Sequence, residues 1–134
     1  MKKIRFEDIS VGDWIEAGDN VKLRVKYPRD RHDMITVEYL EPVVIQAITV
    51  TETTIRIEDA RPIPITPEIL KQIGCEQIWK YRGNLKFNHE VFFADKRSDG
   101  GWNIVGNMCS IRATYLHELQ HALRLAGVEK EIEL

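Results

Sequence analysis

Apolar and polar residues alternate in short segments along the first sixty positions of the chain. The clearest case is Val21–Lys26, in which three apolar residues alternate with Lys22, Arg24 and Lys26. A period of two with β-branched residues is typical of a strand that buries one face. The same pattern predicts further strands over Met34–Leu40, Val43–Val50 and Thr53–Glu58. The segment Phe6–Trp14 is typical of a turn that leads into a first strand, expected over Asp13–Glu16.

A proline-rich segment closes this half and leads into a short helix. Thr66 suits the N-cap, and Pro67 suits the first helical position because its missing N–H needs no partner there. Gly74 is a typical C-terminal stop, so the pattern predicts a helix over Pro67–Ile73.

The remaining sequence predicts more short strands and one longer helix. The strands are expected at Gln77–Tyr81, Leu85–Phe87, Glu90–Lys96 and Trp102–Val105. The helix is expected over Tyr115–Ala126, with Thr114 as its cap and Gly127 as its stop. We therefore predict an α+β fold, either a mostly antiparallel sheet or a small SH3-like barrel, with one short helix and a C-terminal amphipathic helix.

Length and composition indicate a single soluble domain. The 134 residues comprise a β-rich, barrel-like half over 1–60 and a mixed half over 61–134. A net charge of −2 gives no overall attraction to nucleic acid or anionic membranes, and no apolar run approaches the ~20 residues that span a bilayer. The N-terminus lacks the apolar segment of a signal peptide, and Cys75 and Cys109 lack framework spacing. We expect a cytoplasmic protein with two free thiols.

The segment Tyr115–His121, YLHELQH, contains the H-E-x-x-H motif of zinc peptidases. Histidines at positions i and i+4 lie on one face of a helix, so His117 and His121 can reach one ion. Glu118 would then be the general base beside a metal-bound water.

The surroundings of the motif favour a structural helix instead. A catalytic zinc needs a third protein ligand, and Arg124 and Gly127 occupy the positions of the glycine and third histidine in the longer form of the motif. The apolar side chains form one stripe of the helix, and the histidines share the opposite side with Gln120 and Arg124. That side is expected to face solvent.

Three segments resemble a family of small proteins encoded by bacterial phages and mobile elements, whose function is uncharacterised. The matching segments are Gly12–Trp14, Pro64–Leu70 and Leu116–His121. In that family the positions of Glu118 and His121 are often Gln and Asn. The resemblance therefore implies a structural helix, and it implies no biochemical activity.

A second candidate site is a basic stripe on and after the predicted strand at Val21–Lys26. It comprises Lys22, Arg24, Lys26, Arg29 and Arg31. Such a stripe can bind phosphates, although Asp30 and Asp33 interrupt it, and a solvated strand face is the simpler interpretation. Trp14, Trp79 and Trp102 are each expected to pack in the core.

The sequence thus favours a non-enzymatic accessory protein that binds a protein partner and needs no cofactor. The first alternative is a zinc-dependent hydrolase that uses His117, His121 and Glu118. The second alternative is a weak nucleic-acid-binding module. The sequence leaves the oligomeric state open.

Overall fold

The computed structural model describes residues 4–28, 32–81, 84–96, 100–106, 109–128 and 131–134. The chain divides into two compact units, Met1–Ile63 and Pro64–Leu134. The predicted change in pattern after residue 60 lies close to this boundary. The single-domain organisation stays a prediction.

The first unit holds a five-stranded antiparallel sheet with the order β4-β3-β2-β1-β5. Its strands are β1 (Trp14–Ala17), β2 (Val21–Tyr27), β3 (Met34–Ile45), β4 (Ile48–Arg56) and β5 (Ala60–Pro62). Two short 3₁₀ helices, Phe6–Asp8 and Ile57–Asp59, precede β1 and β5.

The core of the first unit forms where strand alternation places apolar side chains on one face. It consists of Ile4, Ile9, Ile15, Leu23, Val25, Ile35, Val37 and Ala60. Leu23 and Val25 are buried as predicted, whereas Val21 at the start of the same strand is exposed. The predicted strand therefore exists, with its buried face confined to its centre.

Gly12–Trp14 forms the turn into β1. The carboxylate of Asp13 accepts the backbone N–H of Ser10 at 2.8 Å, and the carbonyl of Asp13 accepts the N–H of Val25 at 2.8 Å. Gly12 has a φ of 90°, a left-handed conformation that glycine adopts without strain. The segment therefore has a structural role in anchoring β1 to β2.

The second unit holds another antiparallel sheet, with the order β10-β9-β8-β7-β6. Its strands are β6 (Glu76–Tyr81), β7 (Asn84–Asn88), β8 (Phe92–Lys96), β9 (Trp102–Gly106) and β10 (Cys109–Ala113). Helices α1 (Pro67–Gln72) and α2 (Leu116–Leu125) belong to the same unit. The sequence did not predict β10, whose short run Ser110–Ala113 offers no clear apolar period.

Trp102 organises the core of the second unit. Its indole Nε1 donates to the carbonyl of Ile65 at 3.0 Å, and its ring meets Phe87 edge to face at 5.8 Å. Both aromatic side chains are fully buried. Buried tryptophan requires a partner for its N–H, and the segment before α1 supplies that partner.

The α+β, mostly antiparallel fold is confirmed. Within the described strands each sheet is open, because β4 and β5 in one and β6 and β10 in the other are outer strands. The predicted SH3-like closure is not found there.

The prediction of one strand over Val43–Val50 is wrong. This segment is the tip of a long hairpin, with Ile45 opposite Ile48 and a two-residue turn at Gln46 and Ala47. The turn residues have φ values of 50° and 66°, the positive pair typical of a type I′ hairpin turn. Such turns usually contain Asn or Gly, so Gln-Ala gave no turn signal in the sequence.

Replacement of Ala47 by glycine is expected to stabilise this hairpin by about 0.5–1 kcal/mol. A left-handed backbone conformation is unfavourable by about 1–2 kcal/mol for a residue with a Cβ, and glycine avoids this penalty. Part of the stabilisation is lost because glycine gives the unfolded chain more conformational entropy. Amide hydrogen exchange across the turn should slow about two- to fivefold. Thr49→Gly, in the adjacent strand, should accelerate exchange because glycine weakens strand pairing. Unchanged or faster exchange in Ala47→Gly would contradict the assignment of strain to this turn.

Candidate functional site

The two helices of the second unit begin side by side. The N–H of Ile65 donates to the carbonyl of Thr114 at 2.9 Å, and Pro64 forms an antiparallel bridge with Tyr115. Thr66 then caps α1 as predicted, since its hydroxyl accepts the N–H of Ile69 at 3.2 Å. This pairing fixes the point in space at which the H-E-x-x-H segment begins.

Glu118 holds the first turn of α2. One carboxylate oxygen accepts the backbone N–H groups of Thr114 and Tyr115 at 3.2 and 3.0 Å. The N-cap residue is Tyr115, one residue later than predicted, so Glu118 occupies the third helical position. A carboxylate at this position commonly returns to the backbone of the cap, and it also suits the positive end of the helix dipole. The carboxylate thus performs a structural task that has no need of a metal.

The two histidines of the motif are adjacent but differ in environment. Their ring centroids are 5.7 Å apart with planes at 79°, and the ring of Tyr115 lies 6.2 Å from that of His117. His117 is only 3% exposed, and Gln120 only 1%. The expectation that these two residues face solvent is therefore wrong. His121 and Arg124 are partly exposed.

The spacing of the imidazoles permits a shared ion but does not supply a complete site. Among the described residues, no three His, Cys, Asp or Glu side chains are grouped so that they could hold a metal. Zinc sites in proteins use four ligands when structural and three when catalytic. The zinc alternative with His117, His121 and Glu118 therefore gains no further ligand from the described part of the chain.

The two lysines of the basic stripe pair with neighbouring acidic side chains. Lys22 pairs with Glu16 at 2.6 Å, and Lys26 pairs with Glu52 at 2.7 Å and with Glu38 at 3.9 Å. The hydrogen bond from Lys26 to Glu52 and the negative charge of the Glu52 carboxylate raise the pKa of Lys26 above its ordinary value. These acids reduce the positive field that phosphates would meet.

Arg24 lies over the ring of Trp14, with its guanidinium carbon 5.2 Å from the ring centroid, and donates to the carbonyl of Gly12 at 3.4 Å. The two remaining members of the stripe, Arg29 and Arg31, lie outside the described residues.

The three tryptophans do not share one role. Trp14 and Trp102 are buried, as predicted for the core. Trp79 is 46% exposed, so the core prediction is wrong for this residue. It lies on the outer strand β6, where the Lys86 ammonium sits 5.2 Å from its ring centroid. A strand at a sheet edge has fewer neighbours to cover its side chains, and this accounts for the exposure.

Cys75 behaves as an inert thiol. Its side chain is buried, and burial raises the pKa of the thiol to about 11. Because the thiolate is the reactive form, a nucleophilic role at neutral pH is disfavoured. The side chain of Cys109 lies outside the described residues.

Sequence reasoning missed an exposed apolar hairpin, residues 41–50, which we call the arm. Val43 pairs with Val50, Val44 with Thr49, and Ile45 with Ile48. Residues directly opposite in an antiparallel pair share a face, so four β-branched apolar side chains form one face of the arm. They are Val43, Ile45, Ile48 and Val50. Ile45 and Ile48 are 54% and 66% exposed.

The arm projects past an irregularity in the ladder between β3 and β4. The register shifts between Glu38 and Val43, and Pro42 lies in this interval. Proline cannot donate to the ladder, so pairing is interrupted there and resumes beyond it. The arm is thereby separated from the core of its unit.

A cavity of about 390 Å³ lies within the second unit. It is lined by Glu90, Val91, Ile104, Gly106, Ala122, Leu123, Ala126, Gly127 and Val128. These residues come from the β7–β8 turn, from β9 and from the C-terminal end of α2. No local pattern in the sequence marks it, because its walls are ordinary core residues brought together by the fold.

Removal of the Glu118 carboxylate should destabilise the protein without any metal being involved. Glu118→Ala is expected to lower the free energy of unfolding by about 1 kcal/mol, as for other N-terminal caps. Glu118→Gln keeps an oxygen acceptor and should retain most of that stability. Chemical denaturation of both variants measures the difference. Equal losses in the two variants would contradict the capping role of the oxygen.

Purified protein is expected to contain zinc well below one equivalent. Metal analysis after dialysis against micromolar zinc tests this, with His121→Ala as the milder variant because His121 is the less buried histidine. One equivalent of zinc in the parent protein that is lost in both His121→Ala and His117→Ala would contradict this prediction and support the zinc alternative.

Comparisons with known proteins give no relative from which a role can be taken. No family model, curated protein or solved structure matches the chain. In the part of the chain that the structure describes, no helix combines the length and apolarity that crossing a bilayer requires.

Proposed function

We propose that the chain is a non-enzymatic accessory protein that binds a protein partner through the apolar face of its arm. The observation that carries this proposal is the exposure of β-branched apolar side chains on one face of the hairpin at 41–50. Contiguous exposed apolar patches commonly mark interaction surfaces.

The shape of the arm supports a protein as the partner. The arm is a two-stranded ladder whose residues 41–49 are exposed, and β4 is the outer strand of its sheet. An outer strand can accept another strand through its backbone while alternate side chains fill apolar pockets. Its residues 41–50 contain one charged side chain, Glu41, so nucleic acid and anionic lipid have little to bind there.

The strained turn also supports a role for the arm. Gln46 and Ala47 hold left-handed backbone that Asn-Gly would adopt at lower cost. Strained conformations cluster at functional sites, where the side chains that are retained contribute to recognition. Gln46 and Ala47 are both exposed at the tip, where a partner would meet them first.

The other candidate sites lend less support to catalysis or nucleic-acid binding. Glu118 is engaged at the start of α2, and the acids Glu16 and Glu52 pair with two cations of the basic stripe. The resemblance to phage and mobile-element proteins supports an accessory role. In this proposal the protein acts in the cytoplasm as an accessory to a larger assembly.

A photoreactive residue placed at Ile45 is expected to crosslink to one defined protein in cells of the organism that encodes the chain. The matched control carries the same residue at Leu125, an apolar side chain of the second unit that is 90% exposed. A product seen at Ile45 and not at Leu125 supports the proposal.

A second set of variants tests which face of the arm binds. Ile45→Thr combined with Ile48→Thr keeps the β-branched shape, removes the apolar contact and should abolish the crosslink when the photoreactive residue is placed at Val43. Val44→Thr makes a similar change on the opposite face and should leave the crosslink intact. Absence of any product specific to the arm, or equal loss with Val44→Thr, would overturn the proposed binding face.

A further inference from the structure

The apolar side chains of the arm are arranged symmetrically about its turn. Counting away from the turn, each strand carries isoleucine first and valine third, which are Ile45 and Val43 on β3 and Ile48 and Val50 on β4. Ile45 lies opposite Ile48, and Val43 lies opposite Val50. The face therefore consists of a pair of isoleucines near the tip and a pair of valines near the base, and its two strands present the same shape.

The two faces of the arm differ in what they can bind. Val44 is 67% exposed, but it lies opposite Thr49, so its face carries a hydroxyl beside one apolar side chain. On the symmetric face, Val43, Ile45 and Ile48 are 36%, 54% and 66% exposed. The four side chains of this face have no group that forms hydrogen bonds, so a polar group buried against them would lose its bonds to water. The occupant of this face must itself be apolar, and another copy of the same face meets that requirement.

The order of isoleucine and valine fits a second arm that lies tip to base on the first. In that orientation each isoleucine pair lies over the valine pair of the other copy. A large residue then faces a small one at both levels, which is how side chains interdigitate in well-packed cores. The tip-to-tip orientation would place isoleucine over isoleucine and valine over valine, and would leave a crowded level beside a loose one. A twofold axis generates the tip-to-base arrangement, with the same patch used by both copies.

The charges of the arm and its base are compatible with this arrangement. Glu41 is the one charged residue of the segment 41–50. In a tip-to-base pair the two copies of Glu41 lie at opposite ends, about six strand positions or roughly 20 Å apart. That distance exceeds the Debye length of about 8 Å in physiological salt. At the base, the carboxylate of Glu52 is held by Lys26 at 2.7 Å, so the apolar face is bordered there by a paired charge.

We propose that a second copy of this chain is the protein that occupies the symmetric face, with its arm packed tip to base on the first. This inference rests on the proposed function, because it names the partner that binds the same face of the arm. Four side chains from each copy form a smaller contact than the roughly 1,200–2,000 Å² that stable complexes bury. We therefore expect weak self-association, with a dissociation constant on the order of 100 µM.

Sedimentation equilibrium of the purified protein tests the dimer at concentrations from about 10 µM to about 1 mM, which bracket that constant. Ile48→Thr should weaken the dimer at least about fivefold, because it removes apolar contact and adds a hydroxyl to the symmetric face. Val44→Thr is the matched control on the opposite face and should change the affinity less than about twofold. Both positions are exposed, and circular dichroism checks that both variants fold like the parent.

A charge-exchange experiment tests the orientation of the two arms. Ile48→Lys and Val50→Glu should each prevent self-association, because each brings a charge against apolar side chains. A mixture of the two variants should associate at least about tenfold more tightly than either variant alone, since tip-to-base packing places the new lysine of one copy over the new glutamate of the other. Tip-to-tip packing would instead restore association between Ile48→Lys and Ile45→Glu, and that result would overturn the proposed packing.

The outcomes separate this inference from the proposed function. A dimer that Ile48→Thr and Val44→Thr weaken equally would overturn the symmetric face as the contact. A parent protein that stays monomeric at about 1 mM would overturn the second copy as partner. If the photoreactive residue at Ile45 then joins the chain to a different protein in cells, the arm still binds a protein and only this inference fails. Absence of both the dimer and any crosslink would overturn the proposed function as well.

Discussion

The carboxylate of Glu118 fixes the start of α2, and the side chains that follow take their places from that start. Its oxygen accepts two main-chain N–H groups, at Thr114 and Tyr115, so the helix begins at Leu116. His117 then falls in the first turn and is buried, while Ala122 and Leu123, five and six residues further on, line the cavity. The same glutamate that completes the H-E-x-x-H motif is therefore explained by helix geometry.

The two units differ in how the apolar face of their open antiparallel sheet is covered. In the first unit the apolar face is covered at its centre, but the ladder between β3 and β4 continues past Pro42 into the arm. In the second unit two helices accompany the sheet, and the fit between β9 and the end of α2 leaves a recess. The arm and the recess both lie where packing leaves apolar side chains uncovered.

Charge contributes to the structure mainly by local pairing. Lys26 contacts glutamates on β3 and β4, which lie directly opposite each other at Glu38 and Glu52. Like charges in that position destabilise a sheet, and a lysine from β2 offsets them. A stripe that reads as basic in sequence is thus part of a mixed-charge ladder in the folded chain.

The sequence by itself determined the elements whose signals are local. Thr66 and Pro67 began α1, and Gly127 ended α2. The turn-like segment before Trp14 placed β1, and period-two alternation placed β2, each within one residue of its observed bounds. Each of these depends on neighbours a few residues away, and those neighbours can be read directly from the sequence.

Tertiary structure decided the features that depend on distant partners. Gln46 and Ala47 turn the chain because the strands on either side pair, although neither residue favours that conformation. Gln120 is buried, although its side of α2 was predicted to face solvent. The positions of residues around a helix do not show which other elements pack against each side. The cavity likewise exists only when residues about thirty positions apart are brought together. Local patterns define elements, whereas burial and cavities follow from how those elements pack.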